Sequence, residues 1–263
     1  MTPLLLINPR SGRGGPAADE LARAAHERGL EARLLEPGED AATVARSTDT
    51  DVLGIAGGDG SLAPVAAVTV ERQLPFVCVP YGTRNHFARD LGLDRRDPVA
   101  ALAAFAGDER RVDVGRAGKR LFLNNVSFGS YASLVHRREH HRRRRDALAR
   151  ARALLRTVRH PHGLRLTVDG EAISARVILV ANNAYDLRLF DLGARDSLTG
   201  GRLHLYSADG LLPTAWTEQS AKSFTLAGAV RRAALDGEPV ELPNPLECRV
   251  EPLALRVLVP PRR

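Results

Sequence analysis

The segment Gly57-Gly58-Asp59-Gly60-Ser61 constrains the fold more than any other part of this chain. It follows the apolar run 52–56, and a helix-compatible stretch follows it. Glycine has no Cβ, so such a turn can adopt positive φ and let a phosphate or a sugar come close to the main chain. If the next helix begins at Ser61, its N-terminal N–H groups and positive dipole end add to an anion site. Asp59 is then placed to hold Mg²⁺ or to take a proton; the alternative is a glycine-rich turn with a capping acid.

The composition is that of a globular chain with a substantial core. The 263 residues are 44% hydrophobic and 26% charged, as in ordinary folded domains. No apolar stretch approaches the roughly 20 residues that a membrane span needs. The N-terminus lacks the basic region of a signal peptide, so we expect a cytoplasmic protein. Cys78 stands in an apolar run that predicts a buried strand, and no Cys/His spacing indicates zinc.

The net charge of +7 comes almost entirely from arginine, concentrated between Arg137 and Arg159. We expect a helix over 130–158 that carries these side chains. A solvated charged helix is one interpretation, and a basic face for an anionic membrane or ligand is another. The stretch lacks interleaved aromatic residues that stack on bases, which argues against binding of single-stranded nucleic acid. Binding of duplex DNA through the arginine helix is left as a low-ranked hypothesis, and it would be strongly salt-dependent.

The first part of the chain alternates short apolar runs with helical patterns, which predicts a parallel sheet with right-handed crossovers. The predicted strands are 4–7, 32–35, 52–56 and 76–79. Ligands bind at the carboxyl ends of such strands. Three glycine-bearing loops follow strands here, at 8–15, 57–61 and 80–85.

Beyond residue 111 the pattern changes to short strands separated by turns. A hairpin is expected from 112–115 and 120–123, with its turn at 116–119. Further strands are expected at 164–168, 175–180, 203–206, 223–226, 239–242 and 246–250. This pattern is typical of an antiparallel sandwich. The fold class is therefore an N-terminal parallel α/β domain, 1–111, followed by a β-sandwich domain, 112–253, with the basic helix inserted. Residues 254–263 are expected to form a strand that returns to the first domain.

Four motifs, taken together, identify a family. They are N-P-x-S-G at 8–12, G-G-D-G-[ST] at 57–61, G-T-x-N-x-[FL]-A-R at 82–89 and D-G-E at 236–238. In this order and spacing they resemble the diacylglycerol kinase catalytic family, which includes sphingosine kinases and bacterial lipid kinases and is distantly related to NAD kinases. The resemblance implies an NAD-kinase-like α/β domain that carries ATP and a β-sandwich behind it, with ATP and lipid meeting between them.

The resemblance also implies roles for single residues. Those expected to line the nucleotide phosphates are Asn8, Ser11, Gly12, Gly57, Gly58, Gly60, Ser61, Thr83 and Asn85. Asp59 would organise Mg²⁺ and act in catalysis, and Glu238 matches the family's general base. Phosphoryl transfer needs charge neutralisation and a proton acceptor, which these residue types supply. Asp236-Gly237 is also a strong hairpin signal, so Glu238 is alternatively a turn acid.

Three positions depart from the family pattern. His86 stands where the family usually has an aspartate of its Mg²⁺ network, and Arg84 stands where a glycine commonly precedes Asn85. Gly200 occupies the place of an acid that ligates a structural Mg²⁺ in the family, so this second metal site is not carried over.

These features predict an ATP- and Mg²⁺-dependent kinase that phosphorylates the primary hydroxyl of a diacylglycerol-like or sphingoid lipid. It would be cytoplasmic and work at the inner membrane face, with an anionic lipid surface as a partner. A nucleotide-binding protein of the same fold with impaired catalysis is the second hypothesis, and an NAD kinase is the third. The sequence leaves the lipid open and is compatible with a homodimer.

Overall fold

The computed structural model describes residues 2–12, 16–129, 164–186, 194–208, 216–228 and 232–261. The predicted basic helix over 130–158 lies outside these residues. The chain divides into two compact units. The first consists of Met1–Val114, Ala194–Thr199 and Pro252–Arg263, and the second of Gly115–Gly193 and Gly200–Glu251.

The elements of the described residues are as follows in chain order. The α-helices are α1 (Ala18–His26), α2 (Ala41–Ser47), α3 (Asp59–Arg72), α4 (His86–Asp90) and α5 (Pro98–Ala101), and a 3₁₀ helix covers Leu102–Ala106. The strands of the first half are β1 (Leu4–Ile7), β2 (Glu31–Leu34), β3 (Leu53–Gly57), β4 (Phe76–Pro80), β5 (Asp108–Ala117), β6 (Arg120–Phe122) and β7 (Asn125–Gly129). Those of the second half are β8 (Leu164–Val168), β9 (Glu171–Ala175), β10 (Val177–Asn182), β11 (Leu203–Ala208), β12 (Trp216–Ala221), β13 (Ser223–Gly228), β14 (Arg232–Leu235), β15 (Glu238–Glu241) and β16 (Leu246–Val259).

The first unit contains the predicted parallel sheet. Its strands lie in the order β2-β1-β3-β4, and every neighbouring pair is parallel. Val257 and Leu258, near the end of β16, pair in parallel with Phe76 and Val77 of β4. All residues of β1, β3 and β4 are buried, which is typical of parallel strands in α/β proteins.

Helix α3 begins earlier than expected. It starts at Asp59 with Gly58 as its N-cap, not at Ser61. The N–H of Ser61 donates to the carbonyl oxygen of Gly58 at 2.8 Å, so the first turn closes on the glycine. Asp59 therefore lies within the first turn, where a negative charge is favourable to the helix dipole.

The second unit contains the predicted antiparallel sandwich. One sheet has the order β12-β11-β10-β7-β14-β15. The other group consists of antiparallel pairs in the order β9, β8, β13 and residues 246–249 of β16. Both groups contribute to one core, in which Phe122, Phe128, Leu166 and Phe224 are buried together. The sandwich has strands that the sequence pattern did not predict, namely β7, β9, β12 and β14.

The predicted hairpin near residue 115 is present with a shifted turn. Strand β5 continues to Ala117, which pairs with Arg120 of β6, so the turn consists of Gly118 and Lys119. Gly118 has a φ of 58°, which glycine adopts at little cost.

The helices in the described part of the chain are all too short or too polar to span a bilayer.

Both cysteine side chains are buried, so we predict that neither reacts in the folded protein. Burial raises the pKa of the Cys248 thiol to about 12 and that of Cys78 far above its usual range. The thiolate is the reactive species, so Ellman's reagent at pH 8 should label neither cysteine in buffer and both in guanidinium. Rapid release of one equivalent from the native protein would contradict the burial of that strand.

Candidate functional site

The three glycine-bearing loops meet within the first unit. Strand β3 lies between β1 and β4, and all three run in the same direction. Their carboxyl ends are therefore adjacent, and so are residues 8–12, 57–61 and 80–85 that follow them. Asn8 Nδ2 donates a hydrogen bond to Ser61 Oγ at 3.0 Å, which joins the first loop directly to the second.

The first loop is held by its own asparagine and by contact with the third loop. Asn8 Oδ1 accepts the N–H of Arg10 at 3.1 Å, and the N–H of Ser11 donates to the Asn8 carbonyl oxygen. A Cβ on Gly12 would lie 2.3 Å from the ring of Tyr81. The Tyr81 hydroxyl donates to the carbonyl oxygen of Pro16 at 2.7 Å. Through this hydrogen bond Tyr81 holds the segment that follows the first loop. No spacing signal in the sequence singled out this residue.

The second and third loops touch through their glycines. A Cβ on Gly82 would lie 2.4 Å from Gly58 Cα and 3.0 Å from Gly58 N. The N–H of Tyr81 donates to the carbonyl oxygen of Gly57 at 3.1 Å. A Cβ on Gly57 would lie 2.6 Å from Ser61 Cβ. The two backbones approach more closely here than side chains would permit.

Asp59 links the start of its own helix to the start of α4. Its carboxylate is nearly buried, with 9% of the residue exposed. Oδ2 accepts the N–H of His86 at 3.2 Å, and Oδ1 accepts the N–H of Phe87 at 3.1 Å. The first N–H groups of a helix have no partner within it, so the carboxylate serves as a cap supplied from a distant part of the chain.

The third loop closes on itself through Asn85. This residue is buried and has a φ of 51°, a conformation that asparagine adopts more readily than most residues. Its Oδ1 accepts the N–H of Gly82 and its Nδ2 donates to the carbonyl oxygen of Gly82, both at 2.9 Å. The Asn85 side chain therefore shapes the loop, whereas Thr83 is exposed at the loop surface.

His86 carries a buried ring nitrogen that has no hydrogen-bond partner among the described residues, Nδ1. Burial lowers the pKa of this histidine, and the negative charge of Asp59 opposes that shift. The positive charges of Arg89 and Arg84 lower it further. We infer that the imidazole is neutral at pH 7, so it places no charge beside Asp59.

Helix α4 is also held by a buried ion pair that sequence reasoning missed. Arg195 Nε donates to Asp90 Oδ2 at 2.7 Å, and both side chains are almost fully buried. Arg89 contacts the other oxygen of Asp90 at 2.8 Å. The sequence offers no signal for this pair, because Arg195 is 105 residues from Asp90.

Glu238 lies in the second unit, at the start of β15. It is exposed and directly follows the turn Asp236-Gly237, which joins β14 to β15. The predicted hairpin is therefore present. The remaining predicted residue, Gly60, is half-buried in the first turn of α3.

Comparison with known proteins shows which family shares this arrangement. Residues 2–117 match the diacylglycerol kinase catalytic domain. A diacylglycerol kinase of Mycobacterium tuberculosis is 31% identical over 245 residues, which cover 84% of this chain and 74% of the relative. The chain belongs to the diacylglycerol kinase family. A diacylglycerol kinase of Bacillus subtilis is 31% identical over 99 residues, covering 36% of this chain and 33% of the relative.

The fold is also that of a solved structure in the family. A diacylglycerol kinase from Bacillus anthracis superposes with a TM-score of 0.70 at 19% identity, covering 98% of this chain and 96% of the other.

Gly200, which departs from the family pattern, lies against the side chain of Asn183. The N–H of Gly200 donates to Asn183 Oδ1 at 2.8 Å, and a Cβ at position 200 would lie 2.7 Å from that oxygen. An acid there would displace the asparagine.

We predict that Gly82→Ala is considerably more destabilising than Gly58→Ala. The new methyl group at position 82 would overlap the backbone of Gly58, which should lower the free energy of unfolding by about 1–3 kcal/mol. At position 58 it would lie 3.5 Å from Gly82 Cα, an ordinary contact, so the loss should stay below about 1 kcal/mol, the cost of alanine at an N-cap. Urea denaturation of both variants measures the difference, and equal losses would contradict the close approach of the loops.

Proposed function

We propose that this protein is an ATP- and Mg²⁺-dependent kinase that transfers a phosphoryl group to the primary hydroxyl of a diacylglycerol-like or sphingoid lipid. Membership of the diacylglycerol kinase family supports a kinase. The observation that carries the proposal is the meeting of the three loops at the carboxyl ends of β1, β3 and β4, where ligands bind in parallel α/β sheets.

The loops offer main-chain groups to the phosphates of ATP. Helix α3 has 14 residues, so its N-terminal N–H groups and dipole favour an anion next to Gly58. Gly57 and Gly82 have no Cβ, which lets the loops pack against Ser61 and Gly58, and a Cβ on Gly58 would meet only Gly82 Cα at 3.5 Å. The backbone at Gly58 therefore permits close approach. In this proposal the phosphate-lining set is Asn8, Ser11, Gly12, Gly57, Gly58, Gly60, Ser61, Thr83 and Asn85.

Asp59 is the residue proposed to hold Mg²⁺. The described residues contain no group of three or more His, Cys, Asp or Glu side chains that could hold a metal ion. Mg²⁺ is commonly bound by one or two carboxylates together with substrate phosphates. The donor set therefore fits an ion that arrives with the nucleotide. Mg²⁺, when bound, neutralises negative charge on the transferring phosphoryl group.

Glu238 is the proposed general base. Its carboxylate would accept the proton of the lipid hydroxyl while the hydroxyl oxygen forms a bond to the γ-phosphorus. The bond between that phosphorus and the β–γ bridging oxygen breaks, and ADP leaves. A positioned general base contributes about 10²–10⁴-fold to the rate.

His86 favours the second candidate function, a nucleotide-binding protein without transfer activity. A neutral imidazole replaces the carboxylate that the family usually has at this position. This removes one negative charge from beside Asp59, so the site holds a cation less strongly.

A lipid panel with γ-labelled ATP and Mg²⁺ tests the proposal. We expect label on a lipid with a free primary hydroxyl, and we expect Glu238→Gln to lower kcat at least about 100-fold. Glu241→Gln is the matched control, because Glu241 is an exposed glutamate at the other end of β15; its kcat should be unchanged. Asp59→Asn should weaken both Mg-ATP binding and transfer.

The contrary outcome is also definite. If ATP binds, no lipid of the panel is labelled, and Asp59→Asn changes binding alone, the second candidate replaces the kinase. Attraction of the arginine-rich segment at 137–159 to an anionic membrane remains part of the proposal; that segment lies outside the described residues.

A further inference from the structure

The sequence Asp-Gly-Glu occurs twice in the second unit, and both copies form the same turn. Asp236-Gly237 joins β14 to β15, and Asp169-Gly170 joins β8 to β9. The two aspartates have φ of 48° and 50°, and the two glycines have φ of 85° and 90°. Positive φ at both central residues is the mark of a type I′ turn, for which Asp-Gly is a preferred sequence. Local geometry therefore does not distinguish Glu238 from Glu171.

The carboxylates of the two aspartates differ sharply. Asp236 is buried, and it accepts hydrogen bonds from three consecutive backbone N–H groups. The donors are Leu123 at 2.8 Å, Asn124 at 2.7 Å and Asn125 at 3.0 Å. Asp169 is exposed and accepts the N–H of Thr225 at 2.8 Å. A buried carboxylate is unfavourable unless it is hydrogen-bonded, and consecutive N–H groups form an effective concave anion site.

The segment that receives Asp236 is itself fixed by β10. Asn182 is fully buried, its N–H donates to the carbonyl oxygen of Asn124, and its Nδ2 donates to that of Leu123. The N–H of Asp236 donates to the carbonyl oxygen of Asn125 at 2.9 Å. Asp236 is therefore held twice by residues 123–125, through its carboxylate as acceptor and through its backbone N–H as donor. That segment is in turn held in place by β10.

We propose that Asp236 is a positioning residue for Glu238. Glu238 pairs with Leu235 and comes directly after the two-residue turn, so the attachment of Asp236 determines where the backbone of Glu238 lies. A type I′ turn alone does not need this carboxylate, because Asn-Gly and Gly-Gly form the turn as well. The inference rests on the proposed role of Glu238 as general base.

Asp236→Asn is the primary test, with Asp169→Asn as the matched control. Asparagine preserves the size and the turn preference but replaces one acceptor oxygen with an NH₂ group that faces a backbone N–H. We expect kcat to fall at least tenfold with the KM for ATP changed less than twofold, and Asp169→Asn to leave both unchanged. Amide hydrogen exchange at residues 123–125 should accelerate in Asp236→Asn alone.

A double mutant separates positioning from a general structural role. If Asp236 acts through Glu238, adding Asp236→Asn to Glu238→Gln should lower kcat no further. An equal further loss in that background, or a folded Asp236→Asn protein with unchanged kcat, would overturn the proposal. Inactivity of the wild-type protein would instead refute the proposed kinase function.

Asp236→Gly is the second variant, since Gly-Gly also forms the turn and adds no group that faces the backbone donors. It should show the same loss of kcat, with Asp169→Gly as its control. Failure of both Asp236 variants to fold would overturn the proposal, because the carboxylate would then hold the whole unit together. Circular dichroism and thermal denaturation establish the folded state of each variant.

Discussion

Both candidate catalytic regions depend on the same kind of interaction. In each, a carboxylate accepts hydrogen bonds from successive backbone N–H groups of a distant part of the chain. Asp59 binds the N–H groups of His86 and Phe87, and Asp236 binds those of residues 123–125. Hydrogen bonds to an ionised acceptor are stronger than neutral ones, and burial makes their loss costly. Each acid therefore holds a loop or turn in place.

In the first unit the close packing of the loops also requires glycine. The carboxyl ends of parallel strands bring the loops together, but Gly58 and Gly82 can pack backbone to backbone because neither has a Cβ. With the loops in contact, Asp59 reaches the start of α4 and Asn8 reaches Ser61. The absence of side chains at these positions is what permits the loops to assemble.

Much of the architecture could be predicted from local patterns, and the misses have physical causes. The apolar runs of β1, β3 and β4 were recognisable because strands buried on both faces are continuously hydrophobic. Strand β12 was missed because four of its six residues are exposed, without the alternation of a half-buried strand. Strand β14 contains two alanines, which have low β propensity. The start of α3 was misplaced by two residues, because Gly58 is its N-cap and Asp59, not Ser61, is its first residue.

The sequence by itself determined the residue types at each loop: glycines where backbones approach, acids beside them, and Asp-Gly where a tight turn is required. These are local properties of the chain, set by sterics and by short-range hydrogen bonding. Only the tertiary structure decided which Asp-Gly-Glu has a buried aspartate, since Asp236 binds three donors 111 to 113 residues away, whereas Asp169 is exposed and binds one, the N–H of Thr225. It likewise decided that Asp59 caps α4 and that Arg195 pairs with Asp90. Contacts between distant residues depend on how the sheets pack, and no local pattern contains that information.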